Sequence, residues 1–311
     1  MKTTQVTPAD IARSVIAVPP LARDSELRLN RPANLAIIKH LESAGIRSLM
    51  YGGNAVFFNI SIGEYAEILD FLAESVGPDT WLLPSAGPDF GKLRDQAAIL
   101  KSRPFPAVMV LPVTGPSVPT GIARGIRLFA EAMGKAIVLY VKDDRTLTPE
   151  LIAKLVDDGL IVSVKYAVVR ADPTQDDFLR AILDKVDRSI VASGIGERPA
   201  IAHMRHFGLP SFTTGSGCIA PRASLQLLSL LKNKDYETAE KVRQAFLPLE
   251  DLRDAINPIR VLHDAVTAAG IADTGPMLPG MDNLEPADRA RVAEAAQALF
   301  AYDQQVCRQA A

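Results

Sequence analysis

Short runs rich in Val, Ile and Leu alternate with amphipathic stretches along most of the chain. The runs fall at Val15–Val18, Ser48–Gly52, Trp81–Ser85, Ala107–Pro112, Ala136–Val141, Ile161–Val168, Ser189–Ser193 and Ser211–Gly215. Few of them alternate strictly in polarity, and near-continuous apolarity is what a parallel strand covered on both faces requires. The stretches between them carry helix signals. Pro32–Ala44 spaces Leu35, Ile38 and Leu41 along one face and stops at Gly45. Ser61–Ser75 opens on a Ser-Ile-Gly-Glu capping box. Val118–Met133 ends at Gly134, and Thr148 caps a helix over Pro149–Asp158 with Gly159 beyond it. Asp172 and Pro173 are expected to open the next helix, and Pro199–Phe207 and Pro221–Leu231 to follow the last two strands.

Strand alternating with helix predicts βαβ units and a parallel sheet. Eight such units within residues 1–232 match an α/β protein of the closed (β/α)8, or TIM, barrel type. Residues 233–311 are expected as a helical extension packed on the barrel, with a loop rich in Gly and Pro at Thr274–Gly280. A doubly wound open sheet would want a glycine-rich phosphate loop after the first strand. Pro19-Pro20-Leu21-Ala22 stands there instead, which also disfavours a nicotinamide-dependent dehydrogenase. Gly194-Ile195-Gly196 and Gly215-Ser216-Gly217 are read as tight turns at strand ends.

Composition narrows the function further. The chain has 311 residues, is 48% hydrophobic and carries a net charge of -2. That charge, without a Lys/Arg stripe, argues against a nucleic-acid partner. The polar start, Met1–Asp10, lacks a signal-peptide core, and no apolar run has the length of a membrane span. Two cysteines, Cys218 and Cys307, make no disulfide framework and fit a cytoplasmic location. His203 and His206 share a helix face but lie in no metal motif, so no metal and no cofactor is expected.

One charge stands out. Lys165 interrupts the apolar sixth strand, Ile161-Val162-Ser163-Val164-Lys165-Tyr166-Ala167-Val168. Alternation along a strand predicts Val162, Val164 and Tyr166 against the helices and Ser163, Lys165 and Ala167 inside the barrel. Burial favours the neutral amine, which is a nucleophile toward carbonyl carbon; a snorkelling or ion-paired lysine is the structural alternative. Tyr140 lies on the neighbouring fifth strand, where a phenol can relay protons or simply fill the core. Lys142 shares its parity as a rival amine, and Arg145 in the next loop is a candidate for holding an anionic group. Gly53 and Asn54 follow the second strand and can present amides to a carboxylate. Thr213 on the eighth strand completes the substrate-binding candidates.

In order and spacing these landmarks resemble the dihydrodipicolinate synthase and N-acetylneuraminate lyase family. Asn54 to Glu64 is similar to its Gly-Thr-Thr-Gly-Glu segment and the helix glutamate that follows. Leu139-Tyr140 with Arg145, Val164-Lys165, Ser193-Gly194 and Asn257-Pro258-Ile259 resemble further family motifs, and together they span nearly the whole chain. The resemblance implies a lyase that attacks pyruvate or a longer 2-oxo acid with Lys165, relays protons through Tyr140 and makes or breaks an aldol bond or eliminates water. It also implies a homo-oligomer, tetramer or dimer. The chain departs from the family where Gly53 and Asn54 replace paired threonines, where Val56 replaces a glutamate, and where Val113-Thr114 replaces a second tyrosine. A barrel that binds a small 2-oxo acid as a sensor or regulatory protein is the alternative function.

Overall fold

In the computed structural model, which describes residues 1–309, every predicted apolar run contains a strand. They are β1 (Ile16–Ala17), β2 (Ser48–Tyr51), β3 (Trp81–Ala86), β4 (Ala107–Val110), β5 (Ala136–Val141), β6 (Ile161–Tyr166), β7 (Val191–Ser193) and β8 (Thr213–Thr214). All neighbours pair in parallel, in the order β7-β6-β5-β4-β3-β2-β1-β8. A bridge from Ser193 to Phe212, with Ser193 N donating to Ser211 O at 3.0 Å, joins the two ends and closes the barrel. The fold is a (β/α)8 barrel with C-terminal helices, as the periodicity predicts.

A short α1 (Pro8–Ala12) precedes the barrel, and α2 (Arg31–Ser43), α3 (Ile62–Ser75), α4 (Phe90–Lys101), α5 (Pro119–Met133), α6 (Pro149–Asp157), α7 (Asp177–Leu183), α8 (Ala200–Phe207) and α9 (Pro221–Lys232) surround it. The caps explain their boundaries. Ser61 and Glu64 exchange bonds as a capping box, and Thr148 Oγ1 accepts from Leu151 N. On α5 the buried stripe is Ala123, Ile126, Phe129, Ala130 and Met133. Burying a large apolar side chain stabilises the fold by roughly 1.5–3 kcal/mol, so such stripes fix each helix to the sheet.

Three sequence expectations need correction. Helix α4 was not anticipated, although Asp89 caps it and Leu93, Ala97 and Leu100 form its buried face. Asp172 does not open α7: its carboxylate accepts from Thr174 N and Thr174 Oγ1 in a local turn, and Asp176 is the cap, accepting from Leu179 N at 3.0 Å. The seventh strand starts late because Arg188–Ile190 forms a 3-10 turn held by Asp187.

After α9 come α10 (Tyr236–Ala255), α11 (Pro258–Ala268) and α12 (Pro286–Gln309). Residues 310–311 of the expected extension lie outside the described residues. Asn257-Pro258-Ile259 is a helix start: Asn257 Oδ1 accepts from Ile259 N and Arg260 N at 3.0 and 3.1 Å, with Pro258 at the first helical position. No described helix is long and apolar enough to cross a membrane.

Candidate active site

Barrel strands end at a common face, and side chains near those ends are the ones a ligand meets. In the register of β5, β6 and β7, Tyr140, Lys165 and Ala192 are direct neighbours at one level. The parity agrees with the sequence. Tyr166 turns outward, where its hydroxyl donates to Asp176 at 2.6 Å and its ring meets Phe178 of α7 and His203 of α8. Lys165 is buried, only 5% exposed. Its Nζ sits over the Tyr140 ring, 4.3 Å from the centroid, so the amine faces the π system.

No carboxylate forms an ion pair with Lys165 among the described residues, so burial acts on the amine unopposed. It brings the ammonium down to about 7, first by burial and then through the positive charges of Lys142 and Arg253. Burial pushes the Tyr140 phenol up to about 12, so at neutral pH it is a proton donor and not a phenolate. The loop after β7 leans on the lysine. Gly194 N donates to Tyr166 O at 2.6 Å, and a Cβ at Gly194 would lie 2.7 Å from that oxygen and 3.0 Å from Lys165 Cγ. Only glycine lets this turn pass so close to the lysine stem.

A cavity of about 570 Å³ opens beside the pair. Tyr140, Leu139, Val110, Leu111, Ile122 and Leu147 are among the residues that line it, whereas Lys165 is not.

The other candidates separate. Gly53 is half-buried and Asn54 buried just beyond β2. Asn54 Nδ2 donates to Val18 O at 2.7 Å, which ties the ends of β2 and β1 together. Thr213 is buried on β8, level with Ile16 of β1, and its hydroxyl makes no hydrogen bond among the described residues. Lys142 is exposed at the end of β5. Arg145 points into solvent with an 87% exposed side chain, its Nε and Nη2 donating to Asp143 at 3.0 and 2.7 Å.

The structure also assembles groups that spacing did not reveal. Arg253, near the end of α10, reaches the loop after β8, where its Nη1 donates to Ser216 Oγ at 3.3 Å. Glu250 and Glu197 lie behind it, both buried. At i,i+3 on a helix, Glu250 and Arg253 read as an ordinary surface pair, and only the packing of α10 on the barrel reveals otherwise. Ser193 Oγ lies 2.8 Å from His203 Nδ1, but both are fully buried and burial brings the imidazole down to about 4. That pair braces β7 against α8. Among the described residues no cluster of three His, Cys, Asp or Glu could hold a metal ion.

No family model and no curated protein sequence matches the chain. Solved structures do. Dihydrodipicolinate synthase from Bacillus clausii superposes with a TM-score of 0.82 at 20% identity, over 93% of this chain and 98% of that one. Sialic acid aldolase from Ruminococcus gnavus gives 0.82 at 15% identity, over 94% and 98%. A prophage protein of the dihydrodipicolinic acid synthase family from E. coli K12, in complex with pyruvate, gives 0.78 at 20% identity, over 92% and 98%. The fold is that of dihydrodipicolinate synthase and sialic acid aldolase. At these identities the likeness concerns the fold, and the chemistry has to be argued from the side chains.

Proposed function

We propose that this protein is a lyase of the class I aldolase type that forms an imine between Lys165 and the carbonyl of pyruvate or a longer 2-oxo acid. The observation that carries the reading is a barrel lysine with no carboxylate partner among the described residues, buried against a tyrosine ring and brought down to about 7. Near neutral pH a large fraction of such an amine is unprotonated and nucleophilic. Its nitrogen lone pair attacks the carbonyl carbon, and a proton passes from that nitrogen to the carbonyl oxygen to give a carbinolamine. Loss of that hydroxyl as water gives the iminium. Tyr140 suits both proton steps, because a phenol raised to about 12 keeps its proton until a stronger base develops beside it. The iminium then draws electrons from the neighbouring carbon, which supports aldol cleavage, aldol condensation or elimination of water. Solved proteins of the same fold, among them one described in complex with pyruvate and one named as a sialic acid aldolase, support this choice of chemistry.

The test is reductive trapping. With pyruvate or a panel of 2-oxo acids and borohydride, the peptide containing Lys165 should gain the mass of the reduced adduct. Absence of an adduct with every acid in the panel overturns the reading. A second reading, a barrel that binds a 2-oxo acid as a sensor without turnover, draws on the Gly53–Asn54 segment, whose one side-chain amide is already given to Val18 O. It predicts thermal stabilisation by 2-oxo acids that survives Lys165→Ala, with no turnover by the unaltered protein. We further propose a homo-oligomer in the cytoplasm. Cys218 and Cys307 are unpaired, which fits a reducing compartment.

A further inference from the structure

A 2-oxo acid brings a carboxylate to the site, and of the side chains expected to receive it two are already bonded, while the backbone N–H groups of Gly53 and Asn54 make no hydrogen bond among the described residues. The Asn54 side-chain amide is bonded to Val18 O, and the Nε–Nη2 edge of the Arg145 fork is taken by Asp143 on a side chain that points into solvent. Arg253 differs. Its Nε donates to Pro258 O at 3.3 Å and its Nη1 to Ser216 Oγ at 3.3 Å and Glu250 Oε1 at 3.4 Å, all long contacts. Nη2 has no hydrogen-bond partner among the described residues. Its side chain is nevertheless only 12% exposed. A guanidinium has a planar fork suited to a carboxylate, and this one keeps Nη2 free, beside nitrogens held only by long contacts, in a largely desolvated place.

The surroundings fit that approach. A Cβ at Gly215, directly after β8, would lie 2.6 Å from Arg253 Nη2, and one at Gly196 would lie 2.7 Å from Glu250 Oε1. The two Gly-X-Gly turns thus let Arg253 and Glu250 come up against the strand ends, while Gly194 of the first turn rests on the Lys165 stem. Glu250 is fixed by Arg198 N at 3.0 Å and Ser216 Oγ at 3.2 Å. Beside it, Glu197 Oε1 accepts from Thr214 Oγ1 at 2.5 Å and from Ser224 Oγ, while its Oε2 has no partner among the described residues. Two neighbouring buried carboxyls do not both ionise readily. Burial, followed by the Glu250 charge, raises Glu197, and burial raises Glu250 too, against the lowering pull of Arg253 and Arg198. Arg253 and Lys142 are the two cations whose charge is felt at Lys165.

We propose that Arg253 holds a carboxylate of the ligand at the Lys165 site, with Glu250 positioning its guanidinium from behind. The proposal rests on the imine reading and is tested separately from it. Cyanoborohydride trapping is titrated with pyruvate, with 2-oxoglutarate and with the neutral ketone hydroxyacetone. The proteins are the unaltered chain, Arg253→Lys, Arg253→Met, and Arg253→Met with Glu250→Gln, the last so that no buried carboxylate is left unpaired. In Arg253→Met the half-saturating concentration of at least one acid should rise by at least about tenfold, while that of hydroxyacetone stays unchanged. Arg253→Lys should fall between, and the double variant should repeat the loss of selectivity. A loss for pyruvate assigns the contact to the carboxylate beside the carbonyl, and a loss confined to 2-oxoglutarate assigns it to the distal one. Unchanged half-saturation for both acids, or an equal loss for all three probes, overturns the proposal. If the unaltered protein forms no adduct with any probe, the imine reading falls and this inference falls with it.

Discussion

Replacing Lys165 by methionine should stabilise the fold, by an amount that depends on pH. Methionine is unbranched and of similar length, so it fills the same space without a charge. Burial takes the lysine from 10.5 to about 7 on folding. At 1.36 kcal/mol per unit this corresponds to a cost of about 5 kcal/mol for holding the ammonium in the folded protein. The folded value lies below the unfolded one, so between about pH 7 and 10.5 the unfolded chain binds more protons and stability rises with pH. Below that window both states are protonated and the full cost applies; above it neither is, and the cost vanishes. The gain from Lys165→Met should therefore be largest at pH 6 and smaller at pH 9 by about 3 kcal/mol. Attraction between the ammonium and the Tyr140 ring offsets about 0.5–2 kcal/mol of this, so a difference above about 1 kcal/mol should survive. Urea unfolding of both proteins at the two pH values measures it. An equal gain at both, or a destabilisation that does not change with pH, would refute the idea that burial sets the state of this amine.

Two other substitutions separate chemistry from architecture. Tyr140→Phe keeps the ring under Lys165 Nζ and removes only the hydroxyl, which has no hydrogen-bond partner among the described residues. It should leave the unfolding midpoint nearly unchanged and slow imine formation by about 10²-fold or more, read as the rate of trapping. Asn54→Ala leaves Val18 O without its donor, which should destabilise the protein by about 1–3 kcal/mol in chemical denaturation while the half-saturating concentration of pyruvate stays the same.

The barrel was legible because burial on both faces forces continuous apolarity, and that pattern is local. The misreadings were local too. Asp172 and Asp176 are both plausible caps, and a sequence does not reveal that Asp172 is already bonded to Thr174. Within the site, Lys165 was visible because a charge in an apolar strand contradicts its surroundings, and Tyr140 because neighbouring strands of a barrel share levels. Arg145 was a reasonable candidate by position, yet its loop turns it to solvent against Asp143. Arg253 lay hidden because its place depends on how α10 packs beside α8 and α9 and reaches the turn after β8. The glycines at 194, 196 and 215 were visible as turns, but their use, letting side chains approach strand ends, is a matter of tertiary contact.

The central claim is that Lys165 forms an imine, and the most direct measurement of it is the mass of the Lys165 peptide after incubation with pyruvate and borohydride at neutral pH. The account predicts a reduced pyruvyl adduct on Lys165 alone, absent without pyruvate and absent in Lys165→Met. An adduct on Lys142 in place of Lys165, or no adduct with pyruvate or any other 2-oxo acid, would contradict it.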